Sequence, residues 1–130
     1  MSASVICYLA GPLETGVFPP EANVRAACHV AEDLRRVGAS VGLRVVVIVP
    51  HLSLHADLVT PRPREEWLAD CLLTVEACDV LYRFGGRSEG ADAEVAHART
   101  CGVPVVAGLS DWRVRCEMWA RAQRGCAMAH

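Results

Sequence analysis

The sequence predicts a three-layer α/β fold, a parallel sheet of four or five strands with helices on both faces. Three observations predict it. Short apolar runs recur at 5–10, 43–49, 80–84 and 105–107. Unbroken runs of that length are what strands buried on both faces look like. Between them lie segments with helical apolar spacing, at 21–37, 63–77, 90–101 and 111–124. Strands that alternate with helices imply right-handed crossovers, and hence a parallel sheet.

Each element has a local reason. Gly11-Pro12 stops the first run, and 13–20 reads as loop. The helix at 21–37 puts Val24, Ala27, Cys28, Ala31, Leu34 and Val37 on one face, with Asp33, Arg35 and Arg36 largely opposite. Gly38 is the expected stop. The second strand closes at Pro50, and 51–62 reads as a longer loop, rich in turn formers near its end. Pro63 suits the first position of the next helix. The third strand feeds a loop with Gly85 and Gly86, and the helix after it ends near Gly102 and Pro104. The last helix carries Trp112, Met118 and Trp119, large apolar groups that either pack on the sheet or form a self-complementary dimer face. The tail from Gly125 is expected to fray.

At 130 residues the chain makes one domain, 1–130, with room for a real core but little for a second. A hydrophobic content of 52% excludes a disordered chain. No run approaches the ~18 apolar residues of a membrane span, and the N-terminus lacks the basic segment of a secretory leader. A formal charge of −2 with mixed signs excludes a general nucleic-acid surface. The seven cysteines are an odd number with no C-x-x-C pair. Cys7, Cys28, Cys71, Cys78 and Cys101 sit in apolar patterns, where a reduced thiol packs as a small hydrophobe. These features predict a reducing, cytoplasmic compartment, and no ligand spacing indicates a metal.

In a doubly wound sheet, the loops after the first three strands share one edge, where ligands bind. The first loop brings Tyr8, Gly11, Pro12 and Glu14, and the second His51 and His55. The third brings Gly85, Gly86, Arg87, Ser88 and Gly90, followed by Glu94 in the expected first turn of its helix. Trp67 and Asp70 come from the helix before the third strand. Convergence makes the case, because each residue alone has a bland reading as core, turn or solvated charge. A helix N-terminus offers unpaired N–H groups and partial positive charge. These are expected to keep Glu94 ionised and to hold anions beside it. A carboxylate fixed there can stabilise or attack a cationic sugar carbon. No G-x-G-x-x-G follows the first strand, and neither a phosphate-binding Walker loop nor a G-x-S-x-G elbow occurs. Dinucleotide binding and serine acyl transfer are thereby disfavoured.

Four segments in order carry a resemblance. They are Tyr8-Leu9-Ala10-Gly11-Pro12; Val49-Pro50-His51; Trp67-Leu68-Ala69-Asp70 with Ala77-Cys78-Asp79-Val80; and Ser88-x-Gly90-Ala91-x-x-Glu94 with Ala98 and Gly102-Val103-Pro104-Val105. With them the chain resembles the nucleoside 2-deoxyribosyltransferase-like superfamily, above all its small uncharacterised members and the nucleoside 5′-monophosphate N-glycosidases. The resemblance implies a flavodoxin/Rossmann-like sheet and cleavage of an N-glycosidic bond without a cofactor. It assigns Glu94 as the catalytic carboxylate and Asp70 as the aspartate that contacts or protonates the base. Tyr8, Gly11 and Pro12 would line the base and sugar pocket, and His51 matches a histidine of the monophosphate hydrolases.

Ser88 is the discriminating position, since the transferases usually carry aspartate there and the monophosphate hydrolases a serine for the 5′-phosphate. The implied activity is hydrolysis of a nucleoside 5′-monophosphate. The alternatives are deoxyribosyl transfer and a silent nucleotide-binding or sensor module. Glu14 departs from the pattern, standing where the monophosphate hydrolases have an arginine, and Arg87 is the substitute phosphate partner. Family members often add a fifth strand or a terminal segment that completes the neighbouring subunit's site. The implied partners are a small nucleotide or nucleoside and a second copy of the chain, as a homodimer or larger, with no nucleic acid and no membrane.

Overall fold

Apolar alternation along the first strand decides how the layers stack. β1 (Ala3–Ala10) sends Val5, Cys7 and Leu9 to one face, and Tyr8 and Ala10 to the other. The first set joins a core with α1 (Pro20–Ser40) and α5 (Leu109–Met128). The second joins a smaller core with α3 (Arg64–Glu76) and α4 (Glu89–Cys101). The structure, a computed structural model, describes residues 3–13 and 20–128, with side chains as far as residue 125.

The sheet has the order β2-β1-β3-β4, and every pair is parallel. β2 (Leu43–Ile48) pairs with β1 from Ala3↔Leu43 to Tyr8↔Ile48. β3 (Val80–Arg83) pairs with the carboxyl half of β1, from Cys7↔Val80 to Ala10↔Arg83, and the two-residue β4 (Val105–Val106) borders β3. The chain therefore steps from β1 outward to β2, then crosses back to β3 on the other side. That reversal is a topological switch point between β1 and β3, where an open α/β sheet forms a crevice. The four-strand parallel α/β architecture is the predicted one.

Several local expectations need correction. The expected loop at 51–62 contains a 3-10 turn (Pro50–Leu52) and a helix, α2 (Ser53–Val59). Leu54 and Leu58 stand one helical turn apart there, and extended Thr60 with Pro61 ends the helix. Gly38 lies inside α1 rather than after it. A Cβ on Gly38 would sit 2.4 Å from Val45 Cγ2, so glycine lets the helix press against β2, and the chain turns at Gly42, with φ of 80°. Residues 125–128, expected to fray, continue α5. The strands are not buried on both faces throughout, because Ile6 and Val46 are 41% and 42% exposed where α3 and α4 do not reach. Cys28 and Cys101 are exposed rather than packed, and all cysteines of the described side chains are free thiols.

Trp112 settles the packing of α5. It is fully buried, donates from Nε1 to the Leu34 carbonyl at 3.0 Å, and meets Tyr82 and Trp119 edge-on. Met118 stays 49% exposed. No helix among the described residues is long and apolar enough to cross a membrane.

Candidate active site

A cleft of about 240 Å³ opens at the switch point, just below the ~300–1,000 Å³ of sites for drug-sized ligands. Gly11 from the first loop, His51 from the second, and Ser88, Gly90 and Glu94 from the third line it together. The three loops meet as the sequence implied. Tyr8 sits behind this lining.

Glu94 is the buried acid of the cleft, with 6% of its surface exposed. Tyr8, fully buried at the end of β1, donates its hydroxyl hydrogen to Glu94 Oε2. Burial pushes the Glu94 carboxyl up to about 7, against the opposing pulls of the Tyr8 hydrogen bond and the Arg83 charge. This reverses the expectation that the helix N-terminus keeps Glu94 ionised. Glu94 is the sixth residue of α4, one turn beyond the unpaired N–H groups, so desolvation outweighs the helix dipole. Burial, then the Glu94 charge, also drives the Tyr8 phenol far above its ordinary value, so it stays a donor. Cys71, a further lining residue, also interacts with the Tyr8 hydroxyl, and its thiol is pushed up by burial.

The α4 entry is built by its own sequence. Ser88 takes extended backbone geometry, and its Oγ accepts the Ala91 N–H at 3.2 Å, the arrangement of an N-cap. The hydroxyl hydrogen of Ser88 remains for donation to a ligand. Arg83 braces the loop before it, donating to the carbonyls of Phe84 and, at 2.6 Å, Gly86, while pairing with Asp92 at 3.5 Å. Gly11 must be glycine, because a Cβ there would lie 2.2 Å from Phe84 Cε1. Pro12 is packed against Gly85 rather than lining the cleft, since a Cβ on Gly85 would meet Pro12 Cδ at 2.7 Å.

His51 is buried, with Nε2 3.1 Å from the Gly11 carbonyl, which joins the second loop to the first. Burial lowers its pKa, so the ring is a neutral imidazole that donates from Nε2. Its Nδ1 is then an acceptor with no hydrogen-bond partner among the described residues.

The opposite wall comes from α2 and α3. Asp70, which the resemblance assigns to the base, has a side chain 54% exposed, lies outside the cleft lining, and pairs with Arg62 at 2.9 Å. The aspartate that does line the cleft is Asp57, whose Oδ1 accepts from Trp67 Nε1 at 2.7 Å and the Arg62 backbone N–H at 3.0 Å. Those two donors, the Arg62 N–H foremost, hold its carboxyl below the usual range, which makes it a poor proton donor. The Arg62 guanidinium lies 4.3 Å over the Trp67 ring. Asp57 was missed because its helix read as loop. Arg87 is exposed and outside the lining, where the cations are Arg62 and Arg64. Glu14 lies outside the described residues.

The chain is an open, doubly wound parallel sheet whose cleft at the switch point holds a buried carboxylate, Glu94. No protein-family model and no curated protein matches the chain. Among solved structures it is similar to the 2-deoxyribosyltransferase of the psychrotolerant bacterium Bacillus psychrosaccharolyticus, described as a biocatalyst for the synthesis of antiviral and antitumoral nucleosides. The TM-score is 0.51 at 20% identity, over 78% of this chain and 70% of that one. The chain has a nucleoside 2-deoxyribosyltransferase-like fold.

Proposed function

We propose that this protein is a nucleoside-processing enzyme that breaks an N-glycosidic bond and transfers the sugar, with Glu94 as the carboxylate facing the anomeric carbon. One observation carries the reading: a buried glutamate, held by a buried tyrosine, lines the cleft at the switch point. The likeness to a 2-deoxyribosyltransferase supports transfer over hydrolysis as the principal outcome.

In the proposed reaction, ionised Glu94 attacks C1′, or shields the cation that develops there, as the bond to the base breaks. The base leaves with the bonding pair and takes a proton from solvent. A second base then attacks C1′, gives up its own N–H proton to solvent, and frees the carboxylate. Tyr8 orients Glu94 and stabilises its charged form by donating to it. A raised carboxyl value leaves Glu94 divided between its two protonation states near neutral pH, so a modest change in its surroundings switches it between acid and nucleophile.

Hydrolysis of a nucleoside 5′-monophosphate is the second reading. Ser88 favours it, because a neutral hydroxyl beside the N-terminus of α4 suits a dianion, and Arg62 and Arg64 add positive charge to the lining. The test is incubation with a panel of nucleosides and their 5′-monophosphates, with and without a free acceptor base, followed by chromatography. Transfer yields a new nucleoside only when acceptor is present. Hydrolysis yields free base and sugar phosphate without it. Tight nucleotide binding by calorimetry with no base released in any arm would contradict both and support a binding module.

A further inference from the structure

Glu76, His97 and Cys101 meet where the end of α3 packs against the second half of α4, and none of them lines the cleft. His97 and Cys101 stand one helical turn apart on α4, so their side chains share a face. Glu76 closes α3 and reaches them from the neighbouring helix. His97 Nε2 lies 3.5 Å from Cys101 Sγ and 3.7 Å from Glu76 Oε2. One donor atom from each residue fits within 4.8 Å of the other two.

Three arrangements could bring such groups together. A carboxylate–imidazole–thiol relay uses both ring nitrogens, one toward each partner. Here both partners approach the same nitrogen, which can offer one proton or one lone pair but not serve both. Plain hydrogen bonding accounts for the Cys101–His97 contact but leaves Glu76 unexplained, because a hydrogen-bonded ion pair would close to about 2.7–3.2 Å, inside the 3.7 Å seen. The third arrangement is a shared cation. Bond lengths of about 2.3 Å to thiolate and 2.0–2.1 Å to imidazole and carboxylate put the nitrogen about 3.5 Å from sulfur and about 3.4 Å from oxygen around tetrahedral zinc. The observed spacings fall close to both.

We propose that Glu76, His97 and Cys101 form a three-ligand site for a borderline-soft divalent cation of the zinc class, with the fourth position open to solvent. The donor set of one sulfur, one nitrogen and one oxygen selects such an ion over magnesium or calcium, which take oxygen ligands. On binding, Cys101 loses its thiol proton to solvent, and neutral His97 ligates through Nε2. Thiolate and carboxylate together balance the charge of a divalent ion. All three residues are at least partly exposed, so the ion can enter without opening the fold. The spacing within α4 is readable in sequence, but the ligand from α3 is not, which explains why sequence reading found no metal site. The site joins the far ends of the two helices that carry Trp67 and Glu94, and it stands independently of the proposed reaction.

Cobalt(II) is the probe, added to the reduced protein. One equivalent is expected to bind with a thiolate-to-cobalt charge-transfer band and the intense visible bands of four-coordinate cobalt, and zinc is expected to displace it. Loss of an outer partner weakens metal sites by about 10–100-fold, and removal of a ligand in Cys101→Ser or His97→Ala is expected to cost at least that. Cys28→Ser serves as the thiol control and should bind like wild type. Wild-type protein without a thiolate band would overturn the proposal, as would a band that survives in Cys101→Ser or vanishes in Cys28→Ser. Circular dichroism checks that each variant remains folded.

Discussion

The two walls of the cleft solve the problem of carrying charge in opposite ways. On the β1–α4 wall, Glu94 is buried with one hydroxyl donor and a raised carboxyl value. On the α2–α3 side, Asp57 in the lining and Asp70 outside it sit among N–H donors and the Arg62 guanidinium, and they stay close to water. The first wall holds a group whose protonation state is easily changed, while the second holds charges that are already satisfied. Under the proposed reaction, chemistry falls to the first wall and orientation of a ligand to the second, because a reactive carboxylate needs a poised pKa and a positioning network needs fixed charges.

The largest expected effect comes from exchanging the reactive group itself. Glu94→Gln keeps the shape and removes the charge, and base release should fall by at least ~10²-fold while circular dichroism stays unchanged. The same variant has a consequence that needs no substrate. Glu94 binds its proton more tightly folded than unfolded, so its contribution to stability is complete below about 4.5 and is lost as pH rises through about 7. Wild-type stability should therefore lose on the order of 3 kcal/mol across that window, and Glu94→Gln should lack this loss in denaturant titrations at matched pH. A wild-type profile identical to that of the variant would show that Glu94 is not desolvated.

Gly11→Ala comes next. Its methyl group would overlap the Phe84 ring, and forcing extra volume into packed space typically costs about 1–3 kcal/mol. A lowered Tm with weakened ligand binding is expected, because Phe84 also packs against His51, with ring centroids 5.6 Å apart. The smallest effect should come from the wet wall. Asp70→Asn removes one exposed partner of Arg62, which keeps Glu66 at 3.1 Å, so base release should stay within a few-fold of wild type. A loss comparable to that of Glu94→Gln would restore Asp70 to the chemistry and erase the distinction between the walls.

Element order was readable because strand and helix periodicities differ and their breakers stand between them, as Gly11-Pro12 and Gly102 show. Convergence of Gly11, His51, Ser88 and Glu94 on one cleft was also readable, since parallel topology alone brings those loops to one edge. What stayed hidden depends on tertiary surroundings. Nothing local in Glu94 tells that burial outweighs the helix dipole. Nothing in Asp70 tells that it turns to Arg62, while Asp57 in an unrecognised helix takes the lining position. Gly38 and Gly11 read as stops, but their spacing against Val45 and Phe84 exists only in the folded chain.

The pH dependence of base release, measured on wild type beside Tyr8→Phe, tests the central assignment most directly. The wild-type rate should rise through about 7 as Glu94 ionises. In Tyr8→Phe, which lacks the donor that favours the charged carboxylate, the rise should move to higher pH. A wild-type profile flat between about pH 5 and pH 9, or a rise unmoved by Tyr8→Phe, would contradict a buried, tyrosine-held Glu94 as the group that must ionise for the bond to break.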